Sequence, residues 1–193
     1  PVNYVDLLVI GGAYQFNPQL PFTPGKGPVG VVAALGPGVD GFKVGDRVLA
    51  MAEYGGYAER AIAPANQCYR LPDSLSFRDA GAISLAYDTA WFALRERGRY
   101  APGETVLVLG ASGAVGFAGV QIAKALGAKV LAAVSGSSKA DLVADADAVI
   151  DLSQPNLSES LRELSRDLAR LGQPLVLRAG DVVEVLAEDD GTT

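Results

Sequence analysis

Two stretches of this chain combine residue types and spacings that could do chemistry. In the first, Glu104-Thr105 leads into an apolar run, Val106 to Leu109, and then into the turn Gly110-Ala111-Ser112-Gly113-Ala114-Val115-Gly116. A helix-like segment, Phe117 to Leu126, follows, and after it a second apolar run, Val130 to Val134. Strand, tight turn and helix in that order bring backbone N–H groups and the positive end of a helix to one place, where a pyrophosphate can sit. Glycine is needed there because a Cβ would hold the phosphate away. A plain βα turn also uses glycine; the apolar run on each side is what favours a dinucleotide site.

The second stretch is Val134-Ser135-Gly136-Ser137-Ser138-Lys139, at the end of the next expected strand. Ribose binders usually place an acid there, about 20 residues past the glycine turn, to hold both ribose hydroxyls. Here hydroxyls and a lysine stand instead. An acid would repel a 2′-phosphate, whereas these groups would bind one, so the pattern favours NADPH over NADH. The competing reading is a solvated Ser/Gly turn with a lysine starting a helix.

Other candidates are more isolated. Tyr14 lies in a Gly/Pro-bounded loop, where its phenol could donate to a substrate carbonyl or simply plug the loop. Asn3 precedes an apolar run and could orient a ligand or cap a turn. Tyr87 and Thr89 are expected to open a helix, close enough to a domain crossing to meet a cofactor, with capping as the other reading of Thr89. Trp91 reads as core. The acids Asp6, Asp46, Glu59 and Asp88 are scattered, with no spacing that points to acid–base work, and Asp46-Arg47 is expected to make turn hydrogen bonds or an ion pair.

Composition narrows the chemistry. The 193 residues contain no histidine and one cysteine, Cys68. Within this sequence that removes a Ser-His-Asp triad, a histidine base and an ordinary zinc site, so the expectation is no metal. A lone cysteine fits a reducing compartment. The net charge of -6 argues against a nucleic-acid partner. No apolar run nears the ~20 residues of a membrane helix, and no secretory signal opens the chain, so a cytoplasmic protein without membrane contact is expected.

These residues need elements to position them. The first 75 residues are rich in short β-like runs: Val29 to Leu35, Val44 to Ala50 after a turn, and Gly55 to Ala63. With the Gly/Pro turns between them they read as a small barrel or sandwich. Helices are expected over Phe77 to Ser84 and Tyr87 to Arg97, then strand, helix, strand, a short helix near 139–144, and a third strand, Ala148 to Asp151. Strands alternating with helices make a parallel, doubly wound sheet. Ser158 to Leu171 carries leucines at helical spacing, Gln173 to Leu186 reads as strand, and the acidic end is expected to be a frayed tail.

Taken in order, the motifs resemble the zinc-free quinone oxidoreductases of the medium-chain dehydrogenase/reductase superfamily, the zeta-crystallin-like group. The matching pieces are Val2-Asn3, Gly12-Ala13-Tyr14, Leu20 to Gly25, Gly36 to Val39, Gly45 to Val48, Gly56 to Glu59, Tyr87 to Ala90, Gly103 to Val106, Gly110 to Gly116, Val120 to Lys124 and Val134 to Lys139. They cover residues 2 to about 162. The resemblance implies a partial GroES-like β-barrel domain, expected over residues 1–75. It implies a partial Rossmann domain over 76–193, with 162–193 a divergent tail.

It further implies NADPH on the glycine turn, Ser135 and Lys139 near its 2′-phosphate, and Asn3, Tyr14 and Thr89 near the nicotinamide or substrate. Members of the family reduce quinones or activated alkenes by direct hydride transfer, and a homodimer is implied. The chain departs from the pattern in four ways. The family's opening strands would precede Pro1. Lys26-Gly27-Pro28 stands where many members have an acid. The segment from Lys139 to Asp147 is about three residues short. The later Rossmann strands and the return to the barrel are missing. The leading expectation is therefore a truncated NADPH-dependent reductase of quinones or enones. The rivals are a noncatalytic fragment that keeps cofactor binding or oligomerisation, and an enoyl-thioester reductase.

Overall fold

The computed structural model describes residues 1–153. The expected helix over Ser158 to Leu171, the strands beyond it and the acidic tail lie outside the described residues. The chain forms two compact units, Pro1–Leu85 and the part from Ala86 onward.

The first unit opens with helix α1, Tyr4–Ile10, in a region expected to be strand-rich. Strands β1 (Val29–Val31), β2 (Arg47–Ala50) and β3 (Cys68–Arg70) then form an antiparallel sheet in that order, with Gly30 opposite Val48 and Leu49 opposite Tyr69. β1 is shorter than the expected run to Leu35, although its bonding continues one residue further: the Val32 N–H donates to Asp46 O at 2.9 Å, and Gly45 N–H to Val32 O at 2.9 Å. Gly55 to Ala63 alternates in polarity yet forms no strand, and Ile62 is fully solvent-facing. Its first residues bond instead to the loop at Thr23, Pro24 and Gly25, and it pairs with none of the described strands.

Charged residues clamp this sheet. Asp46 pairs with Arg70 at 3.1 Å rather than with the adjacent Arg47. The Lys43 N–H bonded to its carboxylate is the main reason its carboxyl sits below the usual carboxylate range, with Arg70 adding to the effect. Arg47 instead donates to the carbonyls of Pro72 and Leu75 and lies over the Phe77 ring.

Helix α2 runs unbroken over Phe77–Trp91 and continues into a π-helical turn, Phe92–Arg97. The two expected helices are thus one, because neither glycine nor proline interrupts Ala82 to Trp91. Ser76 starts it, its hydroxyl accepting the Asp79 N–H at 3.0 Å. Trp91, expected in the core, stays about half exposed with Arg95 over its ring.

The second unit is a parallel sheet of β4 (Thr105–Val108), β5 (Lys129–Val134) and β6 (Ala148–Asp151), with β5 central. Helix α3, Ala114–Ala125, connects β4 to β5, and a 3-10 segment, Ser137–Val143, leads towards β6. β5 is buried from Val130 to Val134. Val130, Ala132 and Val134 join one apolar cluster with Val120 and Val143, while Leu131 and Ala133 join another with Ile150. Burial on both faces is what a central parallel strand requires, and it explains the unbroken apolar run. Among the described residues no helix is long and apolar enough to cross a membrane.

Asp147 ties the edge of this sheet to α3. It accepts the Val130 N–H at 2.7 Å and pairs with Lys124 at 2.9 Å. Burial pushes its carboxyl upward, but the Lys124 and Val130 bonds outweigh that and hold it below its ordinary 3.8. A carboxyl depressed on folding stabilises above its unfolded value, and that support disappears as pH falls through the folded value. Asp147→Ala should therefore lower stability by about 1–2 kcal/mol near neutral pH, the value of a charged hydrogen bond. In urea unfolding the gap between variant and parent should close below pH 3.8.

Candidate functional site

The glycine turn is built as strand, turn and helix. β4 delivers the chain to Gly110, whose φ of +59° lies in the left-handed region that glycine adopts without strain. Ala111 is buried and its N–H donates to Ala133 O at 2.9 Å, so the turn is anchored to β5. The Gly113 N–H returns to Gly110 O at 2.9 Å. Gly116 sits so close beneath the turn that a Cβ there would run into the Gly110 carbonyl and stand 2.8 Å from Ala111 Cα. That position tolerates only glycine, and through it the helix closes onto the strand.

Gly113 is the N-cap of α3 and has no side chain to satisfy the helix's first N–H groups. The N–H groups of Ala114, Val115 and Gly116 have no intrahelical acceptor by geometry, and Gly113 and Ala114 are exposed. Ser112 is half-buried beside them. Uncapped N–H groups, the positive end of a 12-residue helix and a close-packed glycine floor make an anion cradle.

At the end of β5, Ser135 and Lys139 come together: the Lys139 ammonium donates to Ser135 Oγ at 3.1 Å. A residue that sequence reasoning missed shapes this turn. Asp151, at the end of β6, accepts the Gly136 N–H at 2.9 Å and both the N–H and the hydroxyl of Ser153, at 2.9 and 2.7 Å. An acid does stand at this edge of the sheet, but it comes from the next strand and is engaged in backbone bonds that fix the turn. Pairing of β5 with β6 brings it there, opposite Val134, which no local spacing reveals.

Thr89 lies inside α2 and is exposed, so it does not cap a helix start. Two residues earlier, the Tyr87 hydroxyl donates to Gln121 Oε1 on α3, and burial pushes its phenol upward.

The first unit holds the remaining candidates in two polar clusters. Asn3 is the N-cap of α1, and its N–H donates to Asp6 Oδ2 at 2.9 Å. Asp6 is buried and also accepts the Tyr57 hydroxyl at 2.6 Å. The Asn3 side-chain amide nitrogen is buried without a partner, a state that costs free energy unless something else satisfies it. The Asn-x-x-Asp spacing at 3 and 6 is a helix-start signal that could have revealed α1.

In the second cluster, Tyr14 is half-buried, and the Lys26 ammonium lies 4.8 Å from its ring centroid. Lys26 is only 6% exposed and is paired with Glu53, which is exposed. Lys26, Gly27, Met51, Ala52, Glu53 and Leu85 line a small hollow beside the pair.

An antiparallel sheet with proline-glycine loops, followed by a parallel sheet carrying a glycine cradle, is the composition of a medium-chain dehydrogenase/reductase. Residues 1–73 match the alcohol dehydrogenase GroES-like domain. Quinone oxidoreductase from Rattus norvegicus is 47% identical over 131 residues, covering 67% of this chain and 40% of the rat protein. A quinone oxidoreductase-like protein 2 homolog from Nematostella vectensis is 39% identical over 168 residues, covering 85% of this chain and 46% of that protein. The structure of Escherichia coli quinone oxidoreductase complexed with NADPH superposes with a TM-score of 0.77 at 33% identity, covering 86% of this chain and 51% of that one. Over the matched residues the chain is similar to the quinone oxidoreductases and quinone oxidoreductase-like proteins of the medium-chain dehydrogenase/reductase superfamily. It spans about half the length of the relatives it matches.

The Asp6–Tyr57 contact gives a pH signature. Burial first, and then the Asp6 carboxylate, raise the Tyr57 phenol from 10.0 to about 12. A phenol raised on folding contributes stability that is complete below 10.0 and lost as pH rises towards 12. The parent should therefore lose thermal stability across that window. Tyr57→Phe should start with a lower Tm at neutral pH and show a flatter alkaline limb in a pH series of melts.

Proposed function

We propose that the chain acts as part of an NADPH-dependent reductase that passes hydride to a quinone or an activated alkene or carbonyl without a metal. The observation that carries this reading is the uncapped glycine cradle at 110–116 within the same unit as the Ser135–Lys139 pair. A Cβ at Gly116 would fill the base of that cradle, so the geometry suits a group that must approach backbone closely. The NADPH bound by the Escherichia coli relative supports the same assignment.

When bound, NADPH supplies the hydride, and the protein supplies orientation and electrostatics. In this reading the N–H groups of the turn Gly110, Ala111, Ser112, Gly113, Ala114, Val115 and Gly116 hold the pyrophosphate. Ser135 and Lys139 neutralise the 2′-phosphate, with Asp151 keeping their turn in shape. Thr89 contributes a hydroxyl on the cofactor side. The Asn3 amide, buried and unpartnered, donates to the nicotinamide or substrate and so loses its desolvation cost. The Tyr14 hydroxyl donates to the substrate carbonyl, where negative charge grows as hydride arrives. Solvent supplies the proton. In this reading the protein acts on a small molecule, as a cytoplasmic homodimer.

The decisive assay follows NADPH oxidation by this chain with 1,4-benzoquinone and with a crotonyl thioester. Turnover of the quinone is expected. Turnover of the thioester alone would assign an enoyl-thioester reductase. NADPH binding by folded protein with neither turnover would leave a noncatalytic cofactor-binding protein, and no NADPH binding would refute the reading. Lys139→Glu should raise the NADPH dissociation constant by roughly 10–100-fold, the value of a charge-assisted bond to a phosphate, while changing NADH binding little. Equal losses for both cofactors in a fluorescence titration would remove Lys139 from the 2′-phosphate site.

A further inference from the structure

Lys26 is the one lysine among the described residues with a buried side chain, and the chemistry above leaves it unused. A buried ammonium costs several kcal/mol in lost hydration unless its surroundings return it. Its partner Glu53 is 57% exposed, so the ion pair gains little by itself, as exposed carboxylates are screened by water. A methionine of similar length would fill the same space without that cost. The placement of the charge therefore calls for another explanation.

The second contact of the ammonium supplies one. It lies 4.8 Å from the centroid of the Tyr14 ring, within reach of a cation–π attraction that strengthens when water is excluded. The two partners are supported unequally. Lys26 stands on backbone tied to the sheet: the Gly27 N–H donates to Ala52 O at 3.1 Å, and the Ala50 N–H at the end of β2 to Pro28 O at 2.9 Å. Tyr14 stands in the irregular segment between α1 and β1. A residue fixed to the sheet is thus gripping a residue in a loop by its ring face, and Glu53, just beyond β2, pairs with the same ammonium.

We propose that the Lys26–Glu53 ion pair is a positioning element for Tyr14, holding the phenol ring so that its hydroxyl is presented to substrate in one orientation. This rests on the reductase reading for its kinetic consequence but not for its structural one. Lys26 acts through Tyr14, and a cation on the ring face leaves the hydroxyl at the ring edge free to donate. Arginine can replace the cation, because its guanidinium also stacks on aromatic faces.

The test uses the full chain labelled with ring-13C tyrosine, the Tyr14 signal being assigned by its loss in Tyr14→Phe. In Lys26→Met, which removes the buried charge and leaves Glu53 to solvent and so should fold, the Tyr14 signal should shift and broaden. In Lys26→Arg it should stay sharp. In the same proteins Lys26→Met should lower kcat for quinone reduction roughly tenfold, the scale of a desolvated cation–π contact, with KM little changed and Lys26→Arg restoring most of the loss. In a Tyr14→Ala background Lys26→Met should cost nothing further, since the two act as one unit. An unmoved Tyr14 signal in Lys26→Met, or losses that simply add, would overturn the proposal. Absence of turnover by the parent chain would overturn the reductase reading alone, and the ring signal would still decide this one.

Discussion

The carboxyl end of β5 is the point from which the surface carrying the glycine turn in the second unit is built. The Ala133 carbonyl accepts the Ala111 N–H and fixes the glycine turn, and the Val134 carbonyl accepts the Leu152 N–H beyond β6. Ser135 and Gly136 follow directly, with Gly136 bonded to Asp151. Burial on both faces makes β5 rigid, and parallel pairing forces the turns after β4, β5 and β6 to emerge on one side of the sheet. The position of the anion cradle relative to Ser135 and Lys139 is thus a property of backbone pairing, and the side chains add only chemistry.

The first unit solves a different problem. Its apolar core is modest, with Val9, Ala50, Ala52 and Ala80 among its buried members, and it places two charged side chains, Asp6 and Lys26, in the interior. Buried charges are tolerated when they are bonded. Asp6 has an N–H and a phenol; Lys26 has a carboxylate and an aromatic face. The residues that the resemblance places near substrate, Asn3 and Tyr14, each border one of these charges. Within the first unit both buried charges stand beside these two residues.

Much of the second unit was legible because its signals are local. Val130 to Val134 read as a strand since uninterrupted apolar residues are what a strand buried on both faces needs, and Ala148 to Ile150 repeat a shorter apolar run in the strand beside it. The glycine turn was legible because close approach admits no other residue. The first unit was harder. Tyr4 to Ile10 forms a helix of seven residues with Leu7 and Ile10 exposed, so its apolar residues do not mark a buried face, and only the Asn3–Asp6 spacing betrays the helix start. Gly55 to Ala63 alternates correctly but pairs with none of the described strands, and alternation cannot report a missing partner. Lys26 was visible as a departure from the family pattern, yet its burial depends on Glu53 and Tyr14, 27 residues later and in another loop. Trp91 misled for the opposite reason, because an apolar neighbourhood in sequence was not one in space.

The bare start of α3 has a thermodynamic consequence. A helix that begins with glycine forgoes the side-chain bond that usually secures its first turn, a loss of roughly a few tenths of a kcal/mol. The first turn of α3 therefore lacks that support where Gly113 and Ala114 meet solvent. Any anion that fills the place takes over the duty of a cap, so its binding free energy is shared with the folding of the unit. By mass action, saturating such a ligand at one hundred times its dissociation constant would add about 2.7 kcal/mol to stability. Binding of such an anion and folding of the unit are thus thermodynamically linked.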